Sequence, residues 1–230
     1  MATHLVTGAG AGIGAALASR LAERGDDLVL LARSAARATE LAEAVPGART
    51  LVADLARPSE LEATLREQGL PDRLDSLLHV AGVVELGTVA DLDDAAWAQT
   101  LDVNLRSPAA LTRLLLPALR AARGHVVFVN SGAGLAAHPL WSAYAASKHG
   151  LKALADSLRG EEASSGVRVT TVYPGRTATA MQAKVHAQEG KDYDPAQWID
   201  PASVAIAVLT ALDLPRDAHV TDLSVRPGPH

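Results

Sequence analysis

Short apolar runs recur along the chain and alternate with longer stretches of helical character. The runs lie at residues 3–7, 27–32, 49–53, 74–79, 125–130, 167–173 and 219–225. Strands buried on both faces have this continuous apolar character, and strands that alternate with helices indicate a parallel sheet. The pattern therefore predicts an α/β fold, a doubly wound parallel sheet of about seven strands with helices on both faces.

The expected order of the strands in this sheet is 3-2-1-4-5-6, with the seventh strand at the edge. Ligands of such sheets bind beyond the carboxyl ends of the strands, so functional residues are sought in the segments that follow each strand. Two of the intervening helices are predicted to be long, over residues 102–122 and 147–165.

The first apolar run leads into a glycine-rich turn and then into an amphipathic helix, predicted from near Ile13 to about Arg24. Gly8, Gly12 and Gly14 stand in the turn. Glycines there permit a tight turn, allow main-chain N–H groups to approach a pyrophosphate, and bring the helix close to the sheet with its N-terminus facing the anion. A plain flexible turn is also rich in glycine, but the flanking strand and helix favour a Rossmann-like nucleotide site.

The end of the second strand carries the residues that distinguish NAD from NADP. NAD sites place an acidic side chain there for the ribose 2′-hydroxyl, whereas NADP sites offer an arginine for the 2′-phosphate. The chain has Ala32, Arg33 and Ser34 at this point, with no carboxylate. A guanidinium holds phosphate by two parallel hydrogen bonds, so NADP(H) is favoured over NAD(H). The alternative is that Arg33 is a solvated arginine at a strand end.

Tyr144, Lys148 and Ser131 form the main candidate catalytic group. Residues at i and i+4 share a helix face, so the Lys148 ammonium is expected beside the Tyr144 phenol. A phenol has an unperturbed pKa of about 10, and a positive charge about 4 Å away contributes about 4 kcal/mol at an effective dielectric of about 20. That attraction brings the pKa of the phenol near neutrality before desolvation is counted. Tyr144 is then a candidate acid or base for carbonyl–alcohol chemistry.

A tyrosine and a lysine at this spacing also occur on ordinary helices, so the catalytic interpretation depends on its context. Asp54 follows the third strand, where it can meet an adenine ring, and small Ala81 and Gly82 follow the fourth, where they let the main chain lie against a cofactor. Asn104 opens or interrupts the long helix over 102–122, where it can hold water through its main chain or its amide. The alternative for Asn104 is a local turn at a helix boundary.

Together these motifs resemble those of the short-chain dehydrogenase/reductase family in its compact, single-domain form, over nearly the whole chain. The matching positions are Thr7-Gly8-x-x-x-Gly12-Ile13-Gly14, Asp54, Asn104, Ser131, Tyr144-x-x-x-Lys148 and Pro174-Gly175-x-x-x-Thr179. One departure is His79-Val80-Ala81-Gly82, where the family usually has Asn-Asn-Ala-Gly. The first asparagine of that motif commonly braces the central sheet, so the departure concerns local bracing rather than catalysis.

The resemblance implies a role for each of these residues. Ser131 binds the carbonyl oxygen and Tyr144 supplies its proton. Lys148 tunes Tyr144 and binds the nicotinamide ribose, and Asn104 holds a water that links Lys148 to solvent. The implied cofactor-binding positions are Gly8, Ala11, Gly12, Ile13, Gly14, Arg33, Ser34, Asp54, Leu55, Ala81, Gly82, Tyr144, Lys148, Pro174, Gly175, Thr177 and Thr179.

The resemblance also bears on the substrate and on assembly. Residues 179–198 resemble the family's substrate lid, although a surface helix with ordinary core contacts is an alternative, and His138, Leu140 and Trp141 predict a modestly apolar pocket. In the family the two long helices pair across a two-fold axis, which implies a homodimer or homotetramer. The alternative is that the leucines of these helices all face their own sheet.

Composition narrows the classes of function. The chain has 230 residues, 48% of them hydrophobic, which suits one domain over residues 1–230. A net charge of -5 offers no general basic surface for nucleic acid. The lack of cysteine excludes thiol catalysis, the 8 histidines show no paired spacing for a metal, and no apolar stretch approaches the length of a membrane span. We therefore expect a cytoplasmic protein without a metal site.

The sequence thus predicts an NADP(H)-dependent oxidoreductase that interconverts a carbonyl and an alcohol on a small or medium-sized organic substrate. A different class stays open, namely a dinucleotide-binding sensor or scaffold without significant turnover. An epimerase or dehydratase of the family's longer sugar-nucleotide branch is disfavoured, because the chain has no room for the added substrate domain.

Overall fold

The computed structural model describes residues 1–228, so the last two positions of the predicted 1–230 domain lie outside the described residues. The strands are β1 (Thr3–Thr7), β2 (Asp27–Ala32), β3 (Arg49–Val52), β4 (Ser76–His79), β5 (His125–Val129), β6 (Arg168–Pro174) and β7 (Asp222–Val225). They form one 7-stranded sheet in the order β3-β2-β1-β4-β5-β6-β7, and every neighbouring pair is parallel. The predicted fold class and strand order are confirmed.

Helices cover both faces of the sheet. They are α1 (Gly12–Glu23), α2 (Ala35–Ala44), α3 (Leu61–Glu67), α4 (Asp94–Leu101), α5 (Ser107–Ala122), α6 (Ser142–Glu161), α7 (Ala180–Gln188) and α8 (Pro201–Asp213). Successive side chains of a strand point to opposite faces. Leu5 and Val29 therefore pack with α3, α5 and α6, while Val6 and Leu30 pack with α1, α2 and α8.

The two long helices differ in their bounds from the prediction. In place of one helix over 102–122, α4 runs into a π-helical turn, Asp102–Arg106, and α5 follows. The helix predicted over 147–165 is α6, which begins and ends earlier. It ends where the side chain of Glu162 pairs with Arg120 of α5, before Gly166 takes a left-handed φ of 75°.

Most leucines of α5 and α6 belong to the core of their own chain. Leu111, Leu115 and Leu119 are buried against the sheet, and so are Leu151 and Leu158. Leu116 and Leu154 are only partly buried, so the structure does not place all of these leucines in the core, and the assembly stays a prediction. An interface between copies of the chain would have to use the opposite faces of these helices.

Strands β4 and β7 begin two and three residues later than predicted, because other hydrogen bonds replace the starts of their ladders. Leu74 is excluded from β4, since its N–H donates to the carbonyl of Ala118 in α5 at 3.1 Å. His219 is excluded from β7, because its ring Nε2 lies 3.2 Å from the main-chain nitrogen of Val169. The side chain of His219 thus occupies the position of a strand partner.

His79 stands where the family usually has an asparagine, and it connects β4 to its neighbours. Its Nε2 lies 2.9 Å from Thr112 Oγ1 in α5, and its ring stacks on Phe128 of β5 with centroids 4.9 Å apart. Burial lowers the pKa of His79 to about 3, so the ring is neutral. The main-chain N–H groups of the two residues that follow His79 donate hydrogen bonds to Thr7 Oγ1 at 3.0 and 3.1 Å. These contacts join β1, β4, β5 and α5 without the asparagine.

Within residues 1–228, no helix combines the length and the apolar character needed to cross a bilayer. The same part of the chain contains no group of three or more histidine, aspartate or glutamate side chains placed to hold a metal ion.

Candidate active site

A cavity of about 960 Å³ opens at the carboxyl ends of the strands. Most of the residues predicted from the sequence line it, namely Gly8, Ala11, Gly12, Ile13, Gly14, Arg33, Asp54, Leu55, Ala81, Gly82, Ser131, Tyr144, Lys148, Pro174, Gly175, Thr177 and Thr179. Ser34 and Asn104 do not line it. The volume lies in the upper part of the range for small-molecule sites and suits an elongated ligand.

The loop between β1 and α1 has no room for side chains at its glycines. Gly8 and Gly12 have left-handed φ angles of 72° and 54°. A Cβ placed on Gly14 would lie 2.1 Å from the carbonyl oxygen of Gly8, and one placed on Gly8 would lie 2.8 Å from Ala81 N. Ala11 stands at the capping position of α1, so the helix has no side-chain cap. The N–H groups and positive end of α1 therefore fit a pyrophosphate.

Two arginines line the cavity beyond the end of β2. Arg33 is exposed, whereas the hydroxyl of Ser34 accepts a hydrogen bond from the main-chain nitrogen of Arg37 at 3.4 Å and caps α2. The side chain of Arg37 pairs with Glu40 and donates to the carbonyl of Gly10 at 3.5 Å. The sequence reasoning missed Arg37. A signal was available, because side chains in a first helical turn point back toward the preceding strand end.

The segments after β3 and β6 carry five further predicted residues. The Asp54 side chain accepts a hydrogen bond at 2.9 Å from the main-chain N–H of the second residue after it. The turn that this bond closes contains Leu55. Thr177 is 6% exposed, and its hydroxyl donates to the carbonyl of Gly175 at 3.0 Å. Thr179 caps α7 by accepting a main-chain hydrogen bond at 3.2 Å. Both threonines thus fix the main chain between β6 and α7.

Tyr144 and Lys148 lie together on α6, 6% and 3% exposed. Lys148 Nζ donates to the carbonyl of Val129 at 3.0 Å, at the end of β5, and lies 5.8 Å from the centre of the Tyr144 ring. Ser131 follows β5 and lines the same cavity. Helix α6 and strand β5 thus bring the three predicted catalytic side chains into one region.

Burial acts in opposite directions on the two titratable groups. It raises the pKa of the Tyr144 phenol, and a hydrogen bond with Ser131 opposes this effect. It lowers the pKa of Lys148 to about 8. From the charge of Lys148 alone, without desolvation, the sequence predicted a lowered pKa for Tyr144. Burial of the phenol instead raises its pKa. The reason is that the Lys148 ammonium bonds to a main-chain carbonyl and lies over the ring, while the phenolate loses its water.

Asn130, which the sequence reasoning missed, joins Ser131 to Lys148. Its Oδ1 accepts from the main-chain N–H of Ser131 at 2.8 Å, and its Nδ2 donates to the carbonyl of Lys148 at 2.9 Å. A Cβ placed on Gly134 would lie 2.3 Å from Asn130 Oδ1, so the amide is closely enclosed. A polar residue at the end of an apolar strand, next to the candidate serine, was the available signal.

Asn104 lies in the π-helical turn. It therefore interrupts the long helix, which is one of the two positions that the sequence predicted for it. It is 1% exposed, its Oδ1 accepts from Val83 N at 2.8 Å, and its Nδ2 donates to Val83 O at 2.9 Å and Ser147 Oγ at 3.0 Å. Ser147 Oγ in turn donates to the carbonyl of Tyr144 at 2.7 Å. The amide is therefore engaged within the protein, and the predicted water contact would fall to its main chain.

Apolar side chains surround Tyr144 at the end of the cavity away from the glycine loop. They include Val84, Met181 and Val185. The Trp141 ring lies edge-on to Tyr144, with centroids 5.7 Å apart. His138 and Trp141 line the cavity as predicted for the pocket, but Leu140 does not, and it is 42% exposed with a φ of 71°. Arg226, after β7, also reaches this wall, and the sequence reasoning did not single it out.

Helix α7 crosses this end of the cavity, within the segment predicted as a lid. Lys184 Nζ donates to Val84 O at 2.9 Å and pairs with Glu85 at 2.6 Å, which ties α7 to the loop after β4. Behind the helix, Arg176 forms two hydrogen bonds with Glu189 at 2.8 and 3.0 Å. Contacts on both sides of α7 therefore fix its position over the cavity.

Comparisons with known proteins agree with this geometry. A family model described as short chain dehydrogenase matches residues 2–190. The chain is 35% identical, over 97% of its length and 90% of the relative, to an uncharacterised short-chain type dehydrogenase/reductase, y4eK, of Sinorhizobium fredii. The chain therefore belongs to the short-chain dehydrogenase/reductase family of oxidoreductases.

Two solved structures of bacterial proteins share the fold of this chain. A putative short chain dehydrogenase from Escherichia coli CFT073, complexed with NADPH, has a TM-score of 0.86 at 28% identity, covering 97% of this chain and 95% of that one. A putative NAD(P)-dependent gluconate 5-dehydrogenase from Beutenbergia cavernae, with bound NADP, has a TM-score of 0.80 at 31% identity, covering 98% and 95%. Both are proteins to which this chain is similar.

Proposed function

We propose that this protein is an NADP(H)-dependent oxidoreductase that interconverts a carbonyl and an alcohol on a small or medium-sized organic substrate. The observation that carries the proposal is that Tyr144, Lys148 and Ser131 line the same cavity as the uncapped N-terminus of α1. A phosphate-binding loop alone indicates only nucleotide binding. The acid–base group at the other end of the cavity adds a reaction.

The residues present fit a nicotinamide dinucleotide. The glycine loop would hold the pyrophosphate, Asp54 and Leu55 would lie at the adenine, and the segment from Pro174 to Thr179 would lie beside the nicotinamide. When bound, the cofactor supplies or accepts the hydride at the substrate carbon. Side chains are absent at Gly8 and Gly14 because a Cβ there would meet the protein's own main chain, at Ala81 N and at the carbonyl oxygen of Gly8.

In the direction of reduction, Ser131 donates a hydrogen bond to the carbonyl oxygen and Tyr144 transfers the phenolic proton to that oxygen. Burial keeps the phenol protonated, which is the form that an acid requires. The Lys148 ammonium stabilises the phenolate that remains. In the direction of oxidation, the phenolate takes the proton of the alcohol. Asn130 and Asn104 position these groups through Ser131, Lys148 and Ser147.

NADP(H) is the cofactor that the charges at the β2 end favour. Arg33 is exposed in the cavity wall, Arg37 also lines the cavity and contacts Gly10, and residues 32–34 include no acidic side chain to repel a 2′-phosphate. Two related structures were solved with NADPH or NADP. We also propose that residues 1–230 form one domain with a lid over about 179–198, and that the protein works in the cytoplasm as a homodimer or homotetramer.

The test is oxidation of NADPH by a panel of ketones, aldehydes and quinones. Tyr144→Phe should retain NADPH binding and lose about 10²–10⁴-fold in kcat/KM, because only the phenolic hydroxyl is removed. Tyr173→Phe is the matched control: it removes a hydroxyl that bonds to Asp222 at 3.2 Å, outside the cavity wall. NADPH binding with no turnover across the panel would favour the sensor or scaffold. Unchanged turnover by Tyr144→Phe would refute the mechanism.

A further inference from the structure

The substrate end of the cavity contains one guanidinium whose charge the described chain does not neutralise. Arg226 lines the wall and is exposed, and no acidic side chain pairs with it among residues 1–228. The other arginine at this end, Arg176, forms an ion pair with Glu189. Glu189 also pairs with Lys191, so its charge is already shared between two cations.

The contact with the loop after β5 places the Arg226 side chain close to the reacting group. A Cβ placed on Gly132 would lie 2.8 Å from Arg226 Nη1, so the guanidinium rests on the glycine that follows Ser131. Any side chain in place of Gly132 would displace the guanidinium of Arg226. The charged group therefore lies within one residue of the hydroxyl proposed to bind the substrate oxygen.

The main chain on both sides of Arg226 is held in place. Gly175 N donates to the carbonyl of Val225 at 2.7 Å, and a Cβ placed on Gly175 would lie 3.1 Å from Pro227 Cδ. Pro227 further restricts the residue before it to extended conformations. The site of attachment of this side chain is thus fixed relative to β6.

The charges around the substrate end are cationic in balance. Lys148 lies at its base, and Arg176 and Arg226 flank it. Of the carboxylates in the cavity wall, Glu189 is paired as described, and Asp54 lies at the far end, after β3. A planar guanidinium matches a carboxylate through two parallel hydrogen bonds.

We propose that Arg226 binds a carboxylate group of the substrate, so that the protein converts oxo acids and hydroxy acids in preference to neutral ketones and alcohols. The inference rests on the proposed function, because it concerns the substrate of that reaction. The carbonyl oxygen contacts Ser131 and Tyr144, while the carboxylate, a few bonds away, contacts Arg226.

The first experiment measures binding without turnover. Butyrate and butyramide have the same shape and differ in charge, and each is titrated calorimetrically into the protein with and without NADP⁺. Wild-type protein should bind butyrate about tenfold more tightly than butyramide, the scale expected of a charge-assisted pair. Arg226→Gln should reduce the difference to less than about twofold, and Arg226→Lys should keep part of it, since charge remains without the planar fork.

The matched control is Arg216→Gln, which removes an arginine that contacts Gly166 at the opposite end of the sheet. It should keep the wild-type preference. Equal binding of butyrate and butyramide by the wild type, no detectable binding of butyrate, or a preference that survives Arg226→Gln would each overturn the proposal.

A second experiment compares acetoacetate with its methyl ester as substrates of NADPH oxidation. Arg226→Gln should lower kcat/KM for the acid by about tenfold and change the value for the ester much less. At saturating NADPH, added salt should weaken the acid reaction more than the ester reaction. Turnover of neutral ketones without any acid preference refutes the carboxylate site and leaves the proposed function intact. A butyrate preference that depends on Arg226, in a protein that oxidises no NADPH, refutes the proposed function and leaves the carboxylate site intact.

Discussion

The two ends of the cavity hold their positive charges in different ways. At the catalytic end, Lys148 is 3% exposed and its Nζ is bonded to a main-chain carbonyl at 3.0 Å. At the adenosine end, Arg33 is exposed and no acidic side chain pairs with it among the described residues. Burial changes the proton affinity of the first group, whereas salt in the solvent screens the charge of the second. Chemistry is thus expected from the buried end and cofactor selection from the exposed end.

Removal of the buried charge should have the largest effect. Lys148→Met keeps the length and apolar stem of the side chain and removes the ammonium, so kcat/KM should fall by about 10²–10⁴-fold, since the phenolate loses its stabilising charge. Steady-state kinetics and thermal unfolding together separate this loss from misfolding. The matched control, Lys152→Met, lies one turn further along α6, 39% exposed and paired with Asp156. Equal effects of the two variants would contradict the comparison.

Removal of the exposed charge should alter binding of one cofactor only. Arg33→Ala should raise the Kd of NADPH by about tenfold and leave that of NADH nearly unchanged, because only NADPH has the 2′-phosphate. The difference should shrink with increasing salt. Arg66→Ala, which removes an arginine paired with Glu62 and 62% exposed, is the control. A parallel loss for both cofactors would mean that Arg33 supports the loop, and unchanged binding of both would remove the main support for NADP.

The pH dependence of the reaction is a further test of the buried end. The pKa of Lys148 is lowered to about 8, so the ammonium is lost as the pH rises through that value. Reduction should therefore slow by up to about tenfold per pH unit above the pKa. Folding should respond in the opposite direction: because the folded pKa lies below the ordinary value of 10.5, stability increases as the pH rises from about 8 toward 10.5. Both dependences should be absent from Lys148→Met.

A buried titratable group outside the cavity provides the smallest and most specific check. The pKa of His79 is lowered from 6.5 to about 3 by burial, so the folded state resists protonation while the unfolded state accepts it. Stability should fall by about 1 kcal/mol per pH unit below pH 6.5 through this residue. Urea unfolding at several pH values should show a shallower slope for His79→Asn than for the wild type.

The sequence was informative wherever one residue type has one physical use. Gly8, Gly12 and Gly14 predicted the loop because only glycine avoids the contacts found there. The apolar runs predicted the sheet, because continuous apolar strands need cover on both faces, and the doubly wound fold that they indicate supplied the strand order. Tyr144 and Lys148 were found because helical spacing places them together.

The sequence was less informative wherever a role depends on contacts between distant segments. Ser34 stays a predicted cofactor contact, and its hydroxyl also accepts the hydrogen bond that caps α2, a common use of serine that the sequence reasoning did not consider. Arg226 lies 94 positions after Gly132, and no local pattern links the two. The direction of the Tyr144 pKa also depended on burial, which only the packed structure provides.

The close approach at Gly14 also limits how this protein can vary. A Cβ there would lie 2.1 Å from the carbonyl oxygen of Gly8, so even alanine forces the loop and α1 apart. At Gly25 and Gly47 an added Cβ meets nothing within 4 Å, and only the left-handed φ of 76° or 87° opposes substitution. Asparagine tolerates that conformation. In a library of random variants, Gly14 would remain glycine in every functional clone, whereas Gly25 and Gly47 would drift.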